Sequence, residues 1–426
     1  MGGKGLYPPW EEPPPSLRVW ALEPYFGGSH RQFLEGLAAF GRHTLDLFTL
    51  PGRHWKWRMH GGGLRLAELC REALRRPGAG TGSTPFGPSG SSRSSGSIRP
   101  QVLFASSMLD VPGFLAVAPP EAGRVPLILY MHENQLTYPL PSGVQRDLTY
   151  GLRQLAGAAA AESVLFNSHF HREEFLSACR SLLEEVPDEP PWTTFEQVAS
   201  KARVLPLGVD LRRLDRYRPA AEVRRGPAGL PSGEGARSEP PLILWNQRWE
   251  YDKGPGEFFR ALYALEEMGL EFRVAVAGAG QGAPSAEFAE ARTRLADRLV
   301  HWGRADSGRE YAELLWRADI VVSTALHDFF GVAVVEAIYC GCRPVLPAKL
   351  SYPELIPEEA RAEVLYGDEG PVGLLRRAVE EGTPWSREWQ RTWVARYDWA
   401  VMAPRYDREI WSCWQRGTGR APLPTA

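Results

Sequence analysis

The stretch PLILYMHENQ, residues 126–135, is an unbroken apolar run that stops on His132, Glu133 and Asn134. A short continuous apolar run of this kind reads as a strand buried on both faces, with its polar groups gathered at the carboxyl end. The pattern recurs in both directions. RVWALE, HTLDLFTL and QVLFASS precede it, and SVLFNS and ARVLPLG follow. The second half of the chain continues with LILWNQ, FRVAVAG, LVHWG, DIVVST and RPVLPA. Helical patterns such as HRQFLEGLAAF and QRDLTYGLRQLAGAAA separate the runs. Apolar strands alternating with helices give parallel sheets covered on both sides. The expected fold is therefore α/β, with two doubly wound, Rossmann-like domains facing each other across a cleft.

A chain of 426 residues is long enough for two cores. The expected organisation is a disordered tail over 1–16, a first domain over 17–211 and a flexible Pro/Gly-rich linker over 212–240. A second domain follows over 241–395, and a C-terminal helix over 396–417 packs back on the first domain. The low-complexity segment 77–100 falls inside the first domain, because the strand after it is needed to continue the sheet, and reads as a disordered surface insertion.

No apolar run approaches the roughly 18 residues of a membrane span. The N-terminus MGGKGLYPPWEEPPPS has no signal-peptide core, and Leu6 stands where a myristoylation signal places Ser or Thr. Five cysteines without C-x-x-C spacing argue against a disulfide framework and against a structural zinc site. The expected compartment is the cytoplasm, with the nucleus left open, and no obligate protein partner is evident. A net charge of −2 does not announce nucleic acid, yet a local basic patch would suffice for phosphate contacts.

The chain holds 44 arginines against five lysines, and only three asparagines. Against that drift Asn134, Asn167 and Asn246 each stand where an apolar run ends, a coincidence hard to assign to packing. In open parallel sheets this is the end at which ligands bind. In NQRWEYDKG, Arg248 and Lys253 lie five residues apart at a strand end and helix start, where a forked guanidinium and an ammonium can hold a diphosphate. The competing reading is a solvated basic turn. In HDFFGVAVVEA, residues 327–337, Asp328 and Glu336 flank an apolar helix start near Gly331, close to the positive end of its dipole. They could hold sugar and ribose hydroxyls; an N-cap and a buried ion pair is the plainer alternative. FGGSH puts Gly27 and Gly28 in a βα turn that lets backbone approach a phosphate or a sugar, though an ordinary tight turn needs them too. His132 could bond a sugar hydroxyl or assist proton transfer. A G-x-G-x-x-G fingerprint, a Walker A loop and H-E-x-x-H are all absent, which disfavours dinucleotide, P-loop and zinc-protease chemistry.

The glycine pair, the strand-end His132, FNS, PLGVD at 206–210, R-x4-K, D-x7-E and EAIYCGCRPV occur in the order seen in family 4 retaining glycosyltransferases of the GT-B fold, which the chain resembles from about residue 17 to 410. The longer matches YFGGSHRQFLEGL, LPGRHWKWRMH, LYMHENQLTYP, HDFFGVAVVEAIYCGC and SYPELIP resemble the branch acting on queuosine in tRNA. The resemblance implies transfer of mannose from GDP-mannose, with retention, to the cyclopentene diol of queuosine in the anticodon of tRNA-Asp. It implies donor contacts at Gly27, Gly28, Asn246, Arg248, Lys253, Asp328, Phe330, Gly331, Val332 and Glu336. His132, Asp328, Arg248 and Lys253 would serve catalysis, and His30, Glu133, Asn134 and Asn167 the acceptor. No cofactor and no metal are expected, since no ligand cluster is visible and the two cations can meet the diphosphate.

Asp328 departs from the Glu usual at its position, which withdraws the carboxylate by about 1.5 Å. On the resemblance alone, Asp328→Glu should keep or raise activity. The segment 52–76 places Arg53, Lys56, Arg58, Arg65, Arg71, Arg75 and Arg76 around Trp55 and Trp57, suited to the phosphates and splayed bases of an anticodon loop. A solvated helix face with two core tryptophans is the alternative. Two other functions remain open: a family 4 enzyme with a lipid, glycan or small-molecule acceptor, and a nucleotide-sugar-binding protein without turnover.

Overall fold

The computed structural model describes residues 13–75, 98–140, 143–219, 239–280 and 285–419. The chain forms two compact units, one of residues 1–209 with 399–426 and one of residues 210–398. Each is built on a six-stranded sheet in which every paired neighbour is parallel.

The first sheet contains β1 (Arg18–Phe26), β2 (Thr44–Pro51), β3 (Val102–Ser106), β4 (Leu127–Met131), β5 (Ser163–Phe166) and β6 (Ala202–Val204), in the order β2-β1-β3-β4-β5-β6. β3, β4 and β5 are buried at every residue, as their unbroken apolar runs require. The chain reverses direction across the sheet between β1 and β3, so the crevice beyond their carboxyl ends is where a ligand is placed.

The second sheet contains β7 (Leu242–Trp245), β8 (Arg273–Ala277), β9 (Leu299–Gly303), β10 (Ile320–Val322), β11 (Arg343–Pro347) and β12 (Leu365–Tyr366), in the order β12-β11-β10-β7-β8-β9. Its reversal lies between β7 and β10. NQRWEYDKG leaves the end of β7, and HDFFG follows the end of β10, so two motifs far apart in sequence meet at one switch point.

Residues 212–217, expected as linker, form a 3₁₀ helix, Arg212–Tyr217. Leu214 is fully buried, its carbonyl accepts the Trp316 indole N–H at 2.8 Å, and Asp215 accepts the Tyr339 hydroxyl at 2.9 Å. Tertiary partners thus fix a segment whose composition resembles a linker. The remaining linker residues 220–238 and most of the insertion, 76–97, lie outside the described residues, as does the tail over 1–12.

Helix Trp399–Gly417 belongs to the first unit. Trp399 sits where two glycines leave room for its indole: a Cβ on Gly36 would come within 2.2 Å of it, and one on Gly208 within 2.5 Å. Its backbone N–H donates to the Val209 carbonyl at 3.1 Å. Among the described residues, no helix is long and apolar enough to cross a membrane.

Candidate active site

At the switch point of the second sheet, Lys253 is the junction. It ends a 3₁₀ turn, Tyr251–Lys253, and is almost fully buried. Its Nζ donates to the His327 carbonyl at 2.7 Å and lies 3.5 Å from Asp328 and 3.4 Å from Asp252. Gly254 follows with φ 61, and a Cβ there would stand 2.2 Å from the Thr324 carbonyl oxygen, so the two loops close only on glycine. Thr324 Oγ1 donates to the Lys253 and Gly254 carbonyls at 3.0 Å each, and the Leu326 N–H to the Asp252 carbonyl at 2.8 Å.

Asp328 is clamped on three sides. The Phe330 N–H donates to Oδ1 at 3.2 Å, the Tyr352 hydroxyl to Oδ2 at 3.2 Å, and Lys253 supplies the charge. Burial raises the cost of ionising it, but Lys253, the Phe330 N–H and Tyr352 outweigh that and hold the carboxyl below its usual value. Gly331, with φ 83, caps helix Val332–Tyr339; a Cβ on it would lie 3.1 Å from the Tyr352 ring.

Arg248 is exposed and lies 2.9 Å from Glu250 and 3.7 Å from Asp252. Asp252, buried between Arg248 and Lys253, sets both cations and was not legible as a site residue. Asn246 donates to the Tyr311 hydroxyl at 3.1 Å and to the Ala333 carbonyl at 2.9 Å.

Glu336, expected to turn toward ribose, is held by two side chains and keeps acceptor capacity beyond them. Its Oε1 accepts from Arg213 and its Oε2 from the Tyr311 hydroxyl at 2.8 Å, so both oxygens already have partners. Burial pushes its carboxyl up, against the pull of Arg213 and Tyr311. Arg213 came from the presumed linker and Tyr311 from an amphipathic helix, which is why sequence reasoning missed both.

His327 gives a testable consequence. Burial, with the Lys253 charge next, holds its imidazole down to about 4 from 6.5. The folded state therefore favours neutral His327: its stabilisation is complete above pH 6.5 and is lost as pH falls toward 4. The shift corresponds to about 3 kcal/mol. Urea unfolding between those pH values should show a loss of this order that is absent in His327→Gln.

In the first unit Gly28 has φ 52 and begins helix Gly28–Phe40, with open space where a Cβ would stand. Asn134 is fully buried, and its Oδ1 accepts the Leu136 N–H, the Thr137 N–H and the Thr137 hydroxyl, so it holds the turn. Asn167 likewise braces the sheet end, donating to the His132 carbonyl at 3.0 Å while its Oδ1 meets His171 Nδ1 at 2.9 Å. Glu133 is half-buried and accepts from Gln135 at 2.9 Å.

Glu23, His30 and His132 have donor atoms within 4.8 Å of one another. The two imidazoles, however, stack at 4.1 Å with planes 30° apart, so their in-plane lone pairs run side by side. A chelated ion needs those lone pairs to converge at roughly 2.0–2.2 Å. The cluster is a carboxylate–imidazole contact at 2.9 Å and a ring stack.

The basic segment is helix Trp55–Arg75. Trp57 is 65% exposed, whereas Trp55 packs on Tyr150 with ring centroids 5.3 Å apart, and Lys56 Nζ lies over the Trp55 ring at 5.7 Å. Arg53, Lys56 and Trp57 are exposed, and Arg58 donates to the Pro51 carbonyl at 3.3 Å. Arg65 pairs with Glu68 and Glu72, and Arg71 donates to the Val117 carbonyl at 2.8 Å; Arg76 lies outside the described residues.

Two parallel six-stranded units with cation–carboxylate chemistry at a switch point define a GT-B glycosyltransferase. The fold is shared with a glycosyltransferase from Rickettsia africae (TM-score 0.58, 14% identity, 95% of this chain and 99% of that one). Sucrose-phosphate synthase from Thermosynechococcus elongatus shares it too (TM-score 0.56, 16% identity, 94% and 97%). Residues 18–209 match the family described as tRNA-queuosine alpha-mannosyltransferase N-terminal, and residues 231–367 match glycosyl transferases group 1. The chain is 33% identical over 343 residues to the tRNA-queuosine alpha-mannosyltransferase of Drosophila melanogaster, covering 80% of this chain and 82% of that protein. It belongs to the tRNA-queuosine alpha-mannosyltransferase family. A more distant relative, 26% identical over 214 residues (49% of this chain, 52% of that one), is the GDP-mannose:cellobiosyl-diphosphopolyprenol alpha-mannosyltransferase of Xanthomonas campestris.

Proposed function

We propose that this enzyme transfers mannose from GDP-mannose, with retention, to the cyclopentene diol of queuosine in the anticodon of tRNA-Asp. The observation that carries the reading is the buried Lys253–Asp328–Tyr352 constellation at the switch point of the second sheet, in a chain of this family. Lys253 and Arg248 would meet the diphosphate as its charge develops, and Asp328 the hydroxyls of the donor sugar. With the leaving charge met by protein cations, turnover requires no divalent metal. Incubation with GDP-mannose and queuosine-containing tRNA, followed by nucleoside mass analysis, should add one hexose to queuosine, in EDTA as without it. Unmodified queuosine would overturn the acceptor reading, and activity lost in EDTA and restored by Mg²⁺ the metal-free chemistry.

Arg53, Lys56 and Arg58, with Trp57 exposed among them, supply the expected tRNA contact. Neutralising the three cations together should weaken tRNA binding and lower the slope of log K against log salt by roughly 0.7–0.9 per lost phosphate contact. GDP-mannose affinity should be unchanged. An unaltered salt slope would return the segment to a solvated helix face.

A further inference from the structure

Glu23 is fully buried at the end of β1, and the donor reading leaves it without a task. Its Oε1 accepts the Tyr25 N–H at 2.8 Å, and its Oε2 lies 2.9 Å from His30 Nδ1. The acid and the base stand seven positions apart in sequence, and the turn through Gly27 and Gly28 brings them together. His30, also buried, stacks on His132 at 4.1 Å between ring centroids. His132 meets the edge of Phe33 at 5.2 Å and the Tyr130 ring at 4.8 Å. The hydrogen bond from Asn167 reaches its carbonyl oxygen, which anchors the backbone while the ring rests on aromatic faces.

We propose that Glu23 and His30 form a buried charge couple that holds His132 as an uncharged imidazole, so that its ring offers a hydrogen-bond acceptor to a substrate hydroxyl. The inference rests on reading this end of the first sheet as part of the glycosyl-transfer site. Glu23 and His30 are positioning residues, acting through His132. Of the two stacked rings His30 is the one beside the carboxylate, so a positive charge is better placed there than on His132. A second cation stacked on it is then strongly disfavoured, since like charges at this separation repel in the protein interior. Burial, the His30 charge and the His171 charge all hold His132 well below the ordinary histidine value. His171, from helix His169–Glu184, is held by Asn167, and the Tyr130 hydroxyl donates to the Leu205 carbonyl at 2.9 Å.

The test is histidine-labelled NMR on the whole, substrate-free chain, with the His132 signal assigned by its loss in His132→Asn. Wild-type His132 should titrate well below an ordinary histidine. Glu23→Gln removes the couple and should raise its titration midpoint by at least tenfold in proton affinity, about one pH unit. His30→Phe, which keeps a stacked ring without the charge, should also raise it. The acid limb of kcat/KM for tRNA mannosylation should move up in parallel in Glu23→Gln. A merely structural Glu23 would change melting and leave these midpoints alone. Wild-type His132 titrating near its ordinary value, or an unmoved midpoint in both variants, overturns the proposal. Absent turnover in the wild type would fell the acceptor reading instead, while the NMR midpoints still decide this one.

Discussion

Lys253→Ala should lower kcat by about 100- to 1,000-fold, the loss seen when one preorganised donor to a developing charge is removed. Its Nζ sits in a nearly dry position between the His327 carbonyl, Asp252 and Asp328. There it costs no reorganisation as charge builds on a leaving diphosphate. The same substitution strands two carboxylates without their shared cation, which destabilises a buried pair by about 3–5 kcal/mol. The two losses separate experimentally: activity is read well below the melting temperature, on protein whose circular dichroism matches wild type. Tightness of tRNA binding should be preserved, since the tRNA contacts proposed above belong to the other unit. A folded variant turning over within a few-fold of wild type would refute the diphosphate role of Lys253.

Asp328→Ala should come close to abolishing turnover, and Asp328→Glu should also be harmful, by about 10- to 100-fold. The second half reverses what resemblance alone suggests. The site is fitted to the shorter acid: the Phe330 N–H, the Tyr352 hydroxyl and Lys253 all converge on the aspartate carboxylate. Tyr352 is itself fixed by Ser323 at 2.7 Å and is fully buried. A glutamate carboxylate moved by about 1.5 Å must leave the Phe330 N–H or press on Tyr352. Steady-state kinetics of the Ala and Glu variants decide it. A glutamate enzyme as fast as wild type would mean that the cradle adapts, and an active alanine enzyme would remove Asp328 from the donor site.

Eleven strands were legible as short apolar runs, most plainly the central β3, β4 and β5, whose burial on both faces leaves no polar residue until the run ends. β12, only Leu365–Tyr366, is too short to carry a pattern and exists by pairing with β11. In the site, the strand-end cations and Asp328 stood out because charge beside apolar sequence is unusual. Their supporting residues did not. Tyr352 and Tyr311 occupy ordinary helical positions, and Asp252 hides between the two cations it organises. Arg213 lies on a 3₁₀ turn that only its tertiary partners hold in place. Asn134 stood out as a rare residue at a strand end, but the turn that its Oδ1 holds was not legible with it.

The slot between Gly36 and Gly208 that receives Trp399 also has a consequence in time. The first unit closes on a residue translated after the whole of the second, which spans Asp210–Asp398. At a synthesis rate of about 5–20 residues per second, the roughly 190 intervening residues leave that slot open for about 10–40 s on the ribosome. A message cut short anywhere in the second unit therefore yields a first unit that lacks the indole filling this slot.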